Sequence, residues 1–514
     1  MTGKLPRLGR VGAGRSATPP PVRIVHLGLG AFHRAHAAWF TDRAEDGEAW
    51  GIAAFGGRVD GAGSALIDRL ADQDGMYTVV TRGPDGDRFE PVGALAAVHH
   101  GGDLDAWCAL LAAPSTALVT LTVTEAGYLV GPDGHPDPGH PAVAADVAAL
   151  RAGRPAEVTT VGGRLVAGLA ARARAGHPPL ALVPCDNRPA NGEVVRNLVV
   201  DVAGAVDVGL GRDIAGAFEA VSTVVDRITP GFDPAAVDLV SATCGWSDEA
   251  PVVTEPWAEW VLAGTFPGGR PNWEVTRPLP GTTAGPVNDA AAVTVLADPV
   301  SITGYEARKL FLLNGAHSLL AYLGSIRGHA TVAQAFADPA VRSVVDGWWA
   351  EAAPATGQSP EAVQAYTATL AARFANPAML HRLAQIAADG SAKVPIRVLP
   401  VVAAARAAER LPEAGVEVLA AWIAHLRGAG AATAPVDDPR ADDLVRAADG
   451  SDVHRSVRAV LDLVTDRPAD RPDPDAGPDR EAEASLADDD TLVAAIAERI
   501  ARLERSPRRP GDRP

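Results

Sequence analysis

The sequence predicts an α/β fold: an N-terminal Rossmann-type dinucleotide-binding domain followed by a mostly α-helical C-terminal domain. Three observations carry this. The first apolar run, Val22–Leu27, stops at Gly28 and leads into a helix-compatible stretch. Apolar strand-like runs and Ala-rich helical segments then alternate. After about residue 288 the alternation gives way to long helical patterns.

Residues 1–20 are rich in Gly, Pro and Arg and are expected to lack fixed structure. The Rossmann-type domain is placed at 21–288. Val22–Leu27 is mostly apolar, as suits a parallel strand covered on both faces. A helix over about 31–44 and a second strand at Gly51–Phe55 follow. The runs 118–123, 180–184 and 221–226 read as further strands of an open α/β sheet. The helical domain is placed at 289–464, with helices over 305–323, 361–374 and 398–408. Pro400 is tolerable in the first turn of the last of these. Residues 465–514 form a charged tail. Its Pro-rich part, 465–483, reads as an unstructured linker, and the amphipathic stretch Asp490–Arg505 either docks as a helix or stays free.

The chain has 514 residues, enough for two or three domains with large cores. A net charge of −17 argues against nucleic acid or an anionic membrane as a partner. A small anion remains possible, because helix termini and a few cations can oppose the global field. Cys108, Cys185 and Cys244 show neither a metal-site spacing nor a disulfide framework. A reducing cytoplasm is therefore expected, with no metal. The N-terminus has no continuous apolar core of a signal peptide, and no stretch reads as a membrane span.

Gly28-Leu29-Gly30 lies where a Rossmann phosphate turn belongs. The first glycine permits the tight turn, and the second lets a pyrophosphate approach the backbone. The third glycine of the usual motif is absent, and His33 stands in its place. The position after a strand and before a helix favours nucleotide binding over an ordinary turn. The end of the second strand decides between NAD and NADP: an acid holds the ribose hydroxyl, an Arg a 2′-phosphate. Arg58 and Asp60 are both candidates there, so NAD is expected with NADP left open.

The segment 305–317 is a very apolar helix carrying Lys309, Asn314 and His317. At 100° per residue, Asn314 lies roughly 140° and His317 roughly 80° from Lys309, within one broad side. A desolvated lysine shifts toward its neutral amine and becomes a general base. Asn314 can donate to a developing alkoxide. Glu306, one turn earlier, can pass a proton to solvent. The same pattern fits an amphipathic helix with a snorkelling lysine. Alcohol oxidation beside a dinucleotide turn needs a base and an oxyanion site, and no zinc motif replaces them.

Seven segments together resemble the mannitol dehydrogenase family of polyol-specific long-chain dehydrogenases. They are IVHLGLGAFHRAH (24–36), TLTVTEAGY (120–128), PCDNRPANG (184–192), VDRITP (225–230), EPWAEWV (255–261), KLFLLNGAH (309–317) and RFANPAMLHRLAQIAADGSAKVP (373–395). The family's own turn is G-x-G-x-F-H-R, which accounts for the missing third glycine. The resemblance implies Lys309 as general base and Asn187 with Asn314 as the pair bonding the reacting oxygen. It implies that His317 positions the substrate and Lys309, and that Glu306 relays the proton. Asp226 and Lys393 match contacts to substrate hydroxyls. Gly28, Gly30, Phe32, His33, Arg58, Thr124 and Glu125 fall in the cofactor-binding segments.

Plainer readings stand beside some of these. Asp226-Arg227 also fits a structural ion pair, Lys393 a solvated loop lysine, and Asn191-Gly192 a simple turn. Trp257 and Trp260 read as core. Mannitol-type members tend to carry an Arg eight residues before the lysine of the DGS segment, where this chain has Gln385. The segment looks closer to the fructuronate reductase and mannonate oxidoreductase branch, with Lys393 and Arg397 available to a carboxylate. The expected activity is NAD(P)-dependent interconversion of a polyol or sugar acid and its keto form, by a monomer or weak oligomer. A mannitol-1-phosphate dehydrogenase, a β-hydroxyacid-type dehydrogenase and a non-catalytic nucleotide sensor are the alternatives.

Overall fold

The computed structural model describes residues 5–58, 63–131, 133–277, 279–282, 290–429, 436–465 and 485–505. The chain divides into two compact units, Met1–Thr303 and Gly304–Pro514.

Among the described residues the first unit has twelve strands: β1 (Val22–Leu27), β2 (Gly51–Phe55), β3 (Tyr77–Gly83), β4 (Gly86–Val92), β5 (Leu95–His99), β6 (Leu118–Leu121), β7 (Leu180–Pro184), β8 (Phe218–Ala220), β9 (Ser222–Asp226), β10 (Val252–Thr254), β11 (Trp257–Ala263) and β12 (Ala290–Leu296). Six of them form one sheet in the order β5-β2-β1-β6-β7-β8, every neighbouring pair parallel. Counted by their own sequence, that order is 3-2-1-4-5-6, the doubly wound dinucleotide-binding arrangement. Both faces are buried, which explains the continuous apolar runs. Ile24, Leu118 and Val183 join one core, while Val25, Val119 and Leu182 join the core on the opposite face. Burying each such side chain contributes about 1.5–3 kcal/mol.

Two smaller sheets flank this one, in the orders β10-β3-β4 and β12-β11-β9. They change part of the sequence expectation. The run at 221–226 was expected in the open sheet; instead β9 runs antiparallel to β11, and β8 is the sixth parallel strand. Pairing of β12 with β11 carries the first unit beyond residue 288, to Thr303. The helix expected over 31–44 breaks into Ala31–Ala35 and Ala37–Arg43, because His36 between them has φ −123° and ψ −94°.

Residues 5–20 also differ from expectation, since they pack. Leu8 and Ala13 are buried against Met76. The guanidinium of Arg15 forks onto the Asp42 carboxylate at 2.9 and 2.7 Å, and Arg10 donates to the carbonyl of Gly93 at 3.0 Å. Composition hid this: two anchoring arginines and one buried leucine outweigh a Gly- and Pro-rich background. Residues 466–484, most of the expected linker, lie outside the described residues.

The second unit is helical. Gly315–Ile326 is buried along nearly its whole length and packs against Glu413–Leu426. The stretch Asp490–Arg505 docks as a helix on Glu413–Leu426, with Ile496 and Ile500 fully buried. Ion pairs from Arg499 and Arg502 to Glu417 fasten it. Pro400 sits in the first turn of Leu399–Ala407, where its missing N–H costs nothing. Among the described residues no helix is long and apolar enough to cross a membrane.

Candidate functional site

The strand order reverses between β1 and β6, and ligands bind doubly wound sheets at the carboxyl ends of such strands. Gly28 and Gly30 follow β1, and Thr122 to Thr124 follow β6. Gly28 has φ +106°, and a Cβ there would lie 2.2 Å from the carbonyl oxygen of Thr122. Only glycine fits. The two strand ends are tied by Thr122 N donating to Leu27 O at 2.9 Å and Thr122 Oγ1 donating to Gly28 O at 2.7 Å. A Cβ on Gly30 would meet nothing closer than 3.6 Å, so the protein alone leaves room there. This cradle fits a dinucleotide: tight backbone at the first glycine, open backbone at the second.

The other cofactor candidates divide. Thr124 is exposed beyond β6, and Arg58 is exposed beyond β2. Phe32 is partly buried, its ring stacked on His36 at 4.9 Å. His33 corrects the expectation of a direct cofactor contact. It is fully buried, its ring stacked on His26, so it supports the turn from beneath. The side chain of Glu125 and all of Asp60 lie outside the described residues.

Asn187 stands exposed just past β7, next in the sheet to β6. Its neighbour Asp186 fixes that turn. Asp186 accepts from the hydroxyl of Tyr128 at 2.5 Å and from Arg188 N at 2.9 Å. Burial, then the adjacent carboxylate, holds the Tyr128 phenol well above its ordinary pKa, so it stays a donor. Asn191, read as a possible simple turn, is a buried clamp. It accepts from Thr223 N at 2.9 Å and donates to Thr223 O at 3.1 Å, tying β9 to the start of helix Asn191–Val206. Asp226 ends β9 with 5 % exposure and accepts from Trp257 Nε1 at 3.2 Å. Trp257 is only partly buried and fixes the Asp226 carboxylate, while Trp260 is core, its ring tilted against Trp273 with centroids 4.5 Å apart. Arg227 donates to the carbonyls of Glu255 and Ala35 and lies over Trp39, so its role is structural bracing.

In the second unit the expected continuous helix over 305–323 is interrupted. Thr303–Arg308 is α-helical, Lys309–Asn314 is a π-helix, and Gly315–Ile326 is α-helical again. Gly315 N donates to Leu310 O, five residues back. Five-residue bonding widens the turn, so Asn314 comes round closer to the side of Lys309 than the roughly 140° of an α-helix. Two indoles hold the wide turn: Trp348 Nε1 donates to Phe311 O at 2.9 Å and Trp349 Nε1 to Leu312 O at 3.0 Å. Gly315 is required beside them, since a Cβ would lie 2.6 Å from the Trp348 ring.

Lys309 is 9 % exposed and Asn314 half-buried. The Asn314 side chain makes no hydrogen bond among the described residues, which leaves its amide for a ligand. Glu306 lies one turn before Lys309 and is partly buried. His317 is buried, with Nε2 lacking a partner, between the rings of Phe374 at 5.0 Å and His381 at 5.1 Å. Burial first, then His381, Arg373, Arg397 and Lys309, holds its pKa far below the usual imidazole range. A neutral imidazole among three cations is thus the electrostatic signature of this region. Arg397 was anticipated; Arg373 and His381 were not, though both stand in the segment 373–395.

Two other substrate candidates are placed less favourably. The ammonium of Lys393 donates to the carbonyls of Ala388 at 2.6 Å and Ile386 at 3.4 Å and lies 3.8 Å from the Asp389 carboxylate. It braces the Asp389 turn, whose φ is +56°, rather than standing open as a solvated loop lysine. Gln385 is exposed on the short helix Leu383–Ala387. Among the described residues no three His, Cys, Asp or Glu groups converge as a metal site.

Buried neutral histidines set an acid limit on stability. Burial pushes His26 down to about 3 and His381 down to about 4, and holds His33 and His317 well below 6.5. The unfolded chain binds more protons between those values and 6.5, so their contribution is intact above pH 6.5 and falls as pH drops. Each contributes a slope of up to about 1.4 kcal/mol per pH unit in its window. His425, also lowered by burial, adds to this; Asp248 and Glu351, whose carboxyls burial raises, and His135, raised by its hydrogen bond to Asp201, work in the opposite sense. The melting temperature is expected to fall steadily from pH 7 to pH 5; a flat profile would contradict the buried neutral imidazoles.

The family model described as the mannitol dehydrogenase Rossmann domain matches residues 22–275, and that of the mannitol dehydrogenase C-terminal domain matches residues 301–468. The chain belongs to the mannitol dehydrogenase family. Within it, the uncharacterized oxidoreductase YeiQ of Escherichia coli K12 is 34% identical over 453 residues, covering 86% of this chain and 87% of the relative. D-mannonate oxidoreductase of E. coli K12 is 33% identical, over 74% of this chain and 75% of the relative. Among solved structures, Pseudomonas fluorescens mannitol 2-dehydrogenase in ternary complex with NAD and D-mannitol aligns with a TM-score of 0.77 at 27% identity, covering 97% of each chain. The chain is thus an oxidoreductase of a mannitol dehydrogenase family whose members include mannitol- and mannonate-type enzymes acting on CH–OH groups.

Proposed function

We propose that this protein interconverts a sugar acid and its keto form with NAD or NADP, using Lys309 as the general base. The observation that supports the sugar-acid reading is the pair of arginines, Arg373 and Arg397, whose charges act on neutral His317. Arg binds a carboxylate through paired, charge-assisted hydrogen bonds, whereas a hexitol brings no charge.

The bound dinucleotide supplies the hydride acceptor, and Gly28, Gly30 and Thr124 are the residues that would hold it. Lys309 takes the hydroxyl proton of the substrate and returns it in the reverse direction. Asn187 and Asn314 donate to the oxygen as negative charge develops on it. His317, kept neutral, presents Nε2 to a substrate hydroxyl. Glu306 carries the proton onward from Lys309. Asp226, steadied by Trp257, accepts from a second hydroxyl. The relatives named mannitol 2-dehydrogenase favour a hexitol as the second reading.

Absorbance of NADH and NADPH with fructuronate, tagaturonate, fructose and fructose 6-phosphate tests this. A keto acid is expected to exceed fructose in kcat/KM by about 10- to 100-fold, the worth of one charge-assisted contact. Fructose turned over as well as the keto acids would put the hexitol reading in its place.

A further inference from the structure

The turn after β2 holds a feature that the catalytic reading leaves unused. Gly57 leans on the phosphate turn, since a Cβ at Gly57 would lie 3.6 Å from Gly28 Cα. Its carbonyl accepts a 3.1 Å hydrogen bond from Arg164 Nη1. Arg164 sits in the first turn of helix Val161–Arg174 and is 1 % exposed. Its guanidinium lies over the ring of Trp107 at 5.5 Å, and the Trp107 indole donates to the Arg164 carbonyl at 2.7 Å. Nε and Nη2 are buried without a hydrogen-bond partner. Among the described residues no carboxylate pairs with this cation. Burial pushes its pKa down to about 10, which leaves it charged at neutral pH.

A buried charge with no counter-ion is costly, and folded proteins generally pair it. Here the cation is bonded to Gly57, which lies in the loop after β2 and against the phosphate turn. In this strand order that loop flanks the adenosine ribose of a bound dinucleotide. An anionic ligand in the crevice is therefore the natural partner of the charge.

We propose that Arg164 is a positioning residue for the adenosine end of the cofactor: it holds the Gly57 turn against Gly28 and lends an uncompensated positive charge to the ligand's phosphates. This rests on a dinucleotide occupying the crevice. Arg164 does not touch the reacting atoms, so its removal weakens cofactor binding and leaves kcat at saturating cofactor unchanged.

Titration calorimetry of the full chain with ADP-ribose, NADH and NADPH tests it, using Arg164→Met and Arg164→Gln. Arg164→Met is expected to raise Kd about tenfold for ADP-ribose and NADH, and at least as much for NADPH. Its melting temperature without ligand stays level or rises, because an unpaired buried charge has gone. Arg164→Gln keeps a donor but loses the charge, and decides the matter if the Met variant does not fold: its Kd is expected to rise as well. Wild-type protein that binds none of the three would refute the crevice itself. Normal wild-type binding with both folded variants within twofold of it would overturn the role of Arg164 alone.

Discussion

Replacing Lys309 by alanine is expected to reduce kcat by about 10²–10⁴-fold, the range of a general acid–base contribution, while Kd for NADH stays within twofold. The phosphate turn is built entirely from residues of the first unit, and Lys309 belongs to the second. Loss of the base therefore leaves the cradle unaltered. Lys309→Met provides the control for packing, since it keeps the apolar stem beside the wide turn while removing the ammonium. Both variants should lose the ascending limb of the pH–rate profile that a titrating base produces. Rapid single-turnover measurement of NADH oxidation separates this from slow product release. A Lys309→Met enzyme within tenfold of wild type would remove the assignment.

Gly28→Ala is the second large effect. The new Cβ would lie 2.2 Å from the Thr122 carbonyl oxygen and 2.9 Å from its carbon, both backbone atoms that cannot swing aside. The positive φ adds strain of about 1–3 kcal/mol. Relief requires the ends of β1 and β6 to part, which breaks the bonds from Thr122 to Leu27 and Gly28. Cofactor affinity is expected to fall by about 100-fold or more, the equivalent of about 2.7 kcal/mol, with a lower melting temperature. Gly30→Ala is the informative contrast. Its Cβ meets only an ordinary contact at 3.6 Å, so the variant should fold and melt like wild type. If its cofactor affinity also matches wild type, no ligand approaches that backbone and the cradle reading falls.

Several elements were readable from residues alone because one local rule decided each. A run buried on both faces has no polar alternation, so Val22–Leu27, Gly51–Phe55 and Leu180–Pro184 stood out with their observed bounds. The Gly28 turn was legible because a strand, a glycine and a helix in that order leave little choice. The rest depended on partners distant in sequence. The wide turn at Lys309–Asn314 is invisible to a periodicity of 3.6, and its support comes from Trp348 and Trp349, on another helix. Trp257 gained meaning only when β9 and β11 paired. Arg373 and His381 sat in a recognised segment, yet their closeness to His317 follows from folding. Residues 5–20 misled because composition averages over the few side chains that anchor them.

The wide turn fixes a phase relation along one rod. Everything beyond Asn314 is turned relative to everything before Lys309 by the extra residue lodged between them, and the two indoles lock that offset. Rewinding 309–314 as an uninterrupted α-helix with the same residues would swing the face bearing His317 by about 100°. The base and its neighbours would then look in different directions, with every side chain still present. The winding of KLFLLNGAH is thus as much a part of the arrangement as the residues themselves.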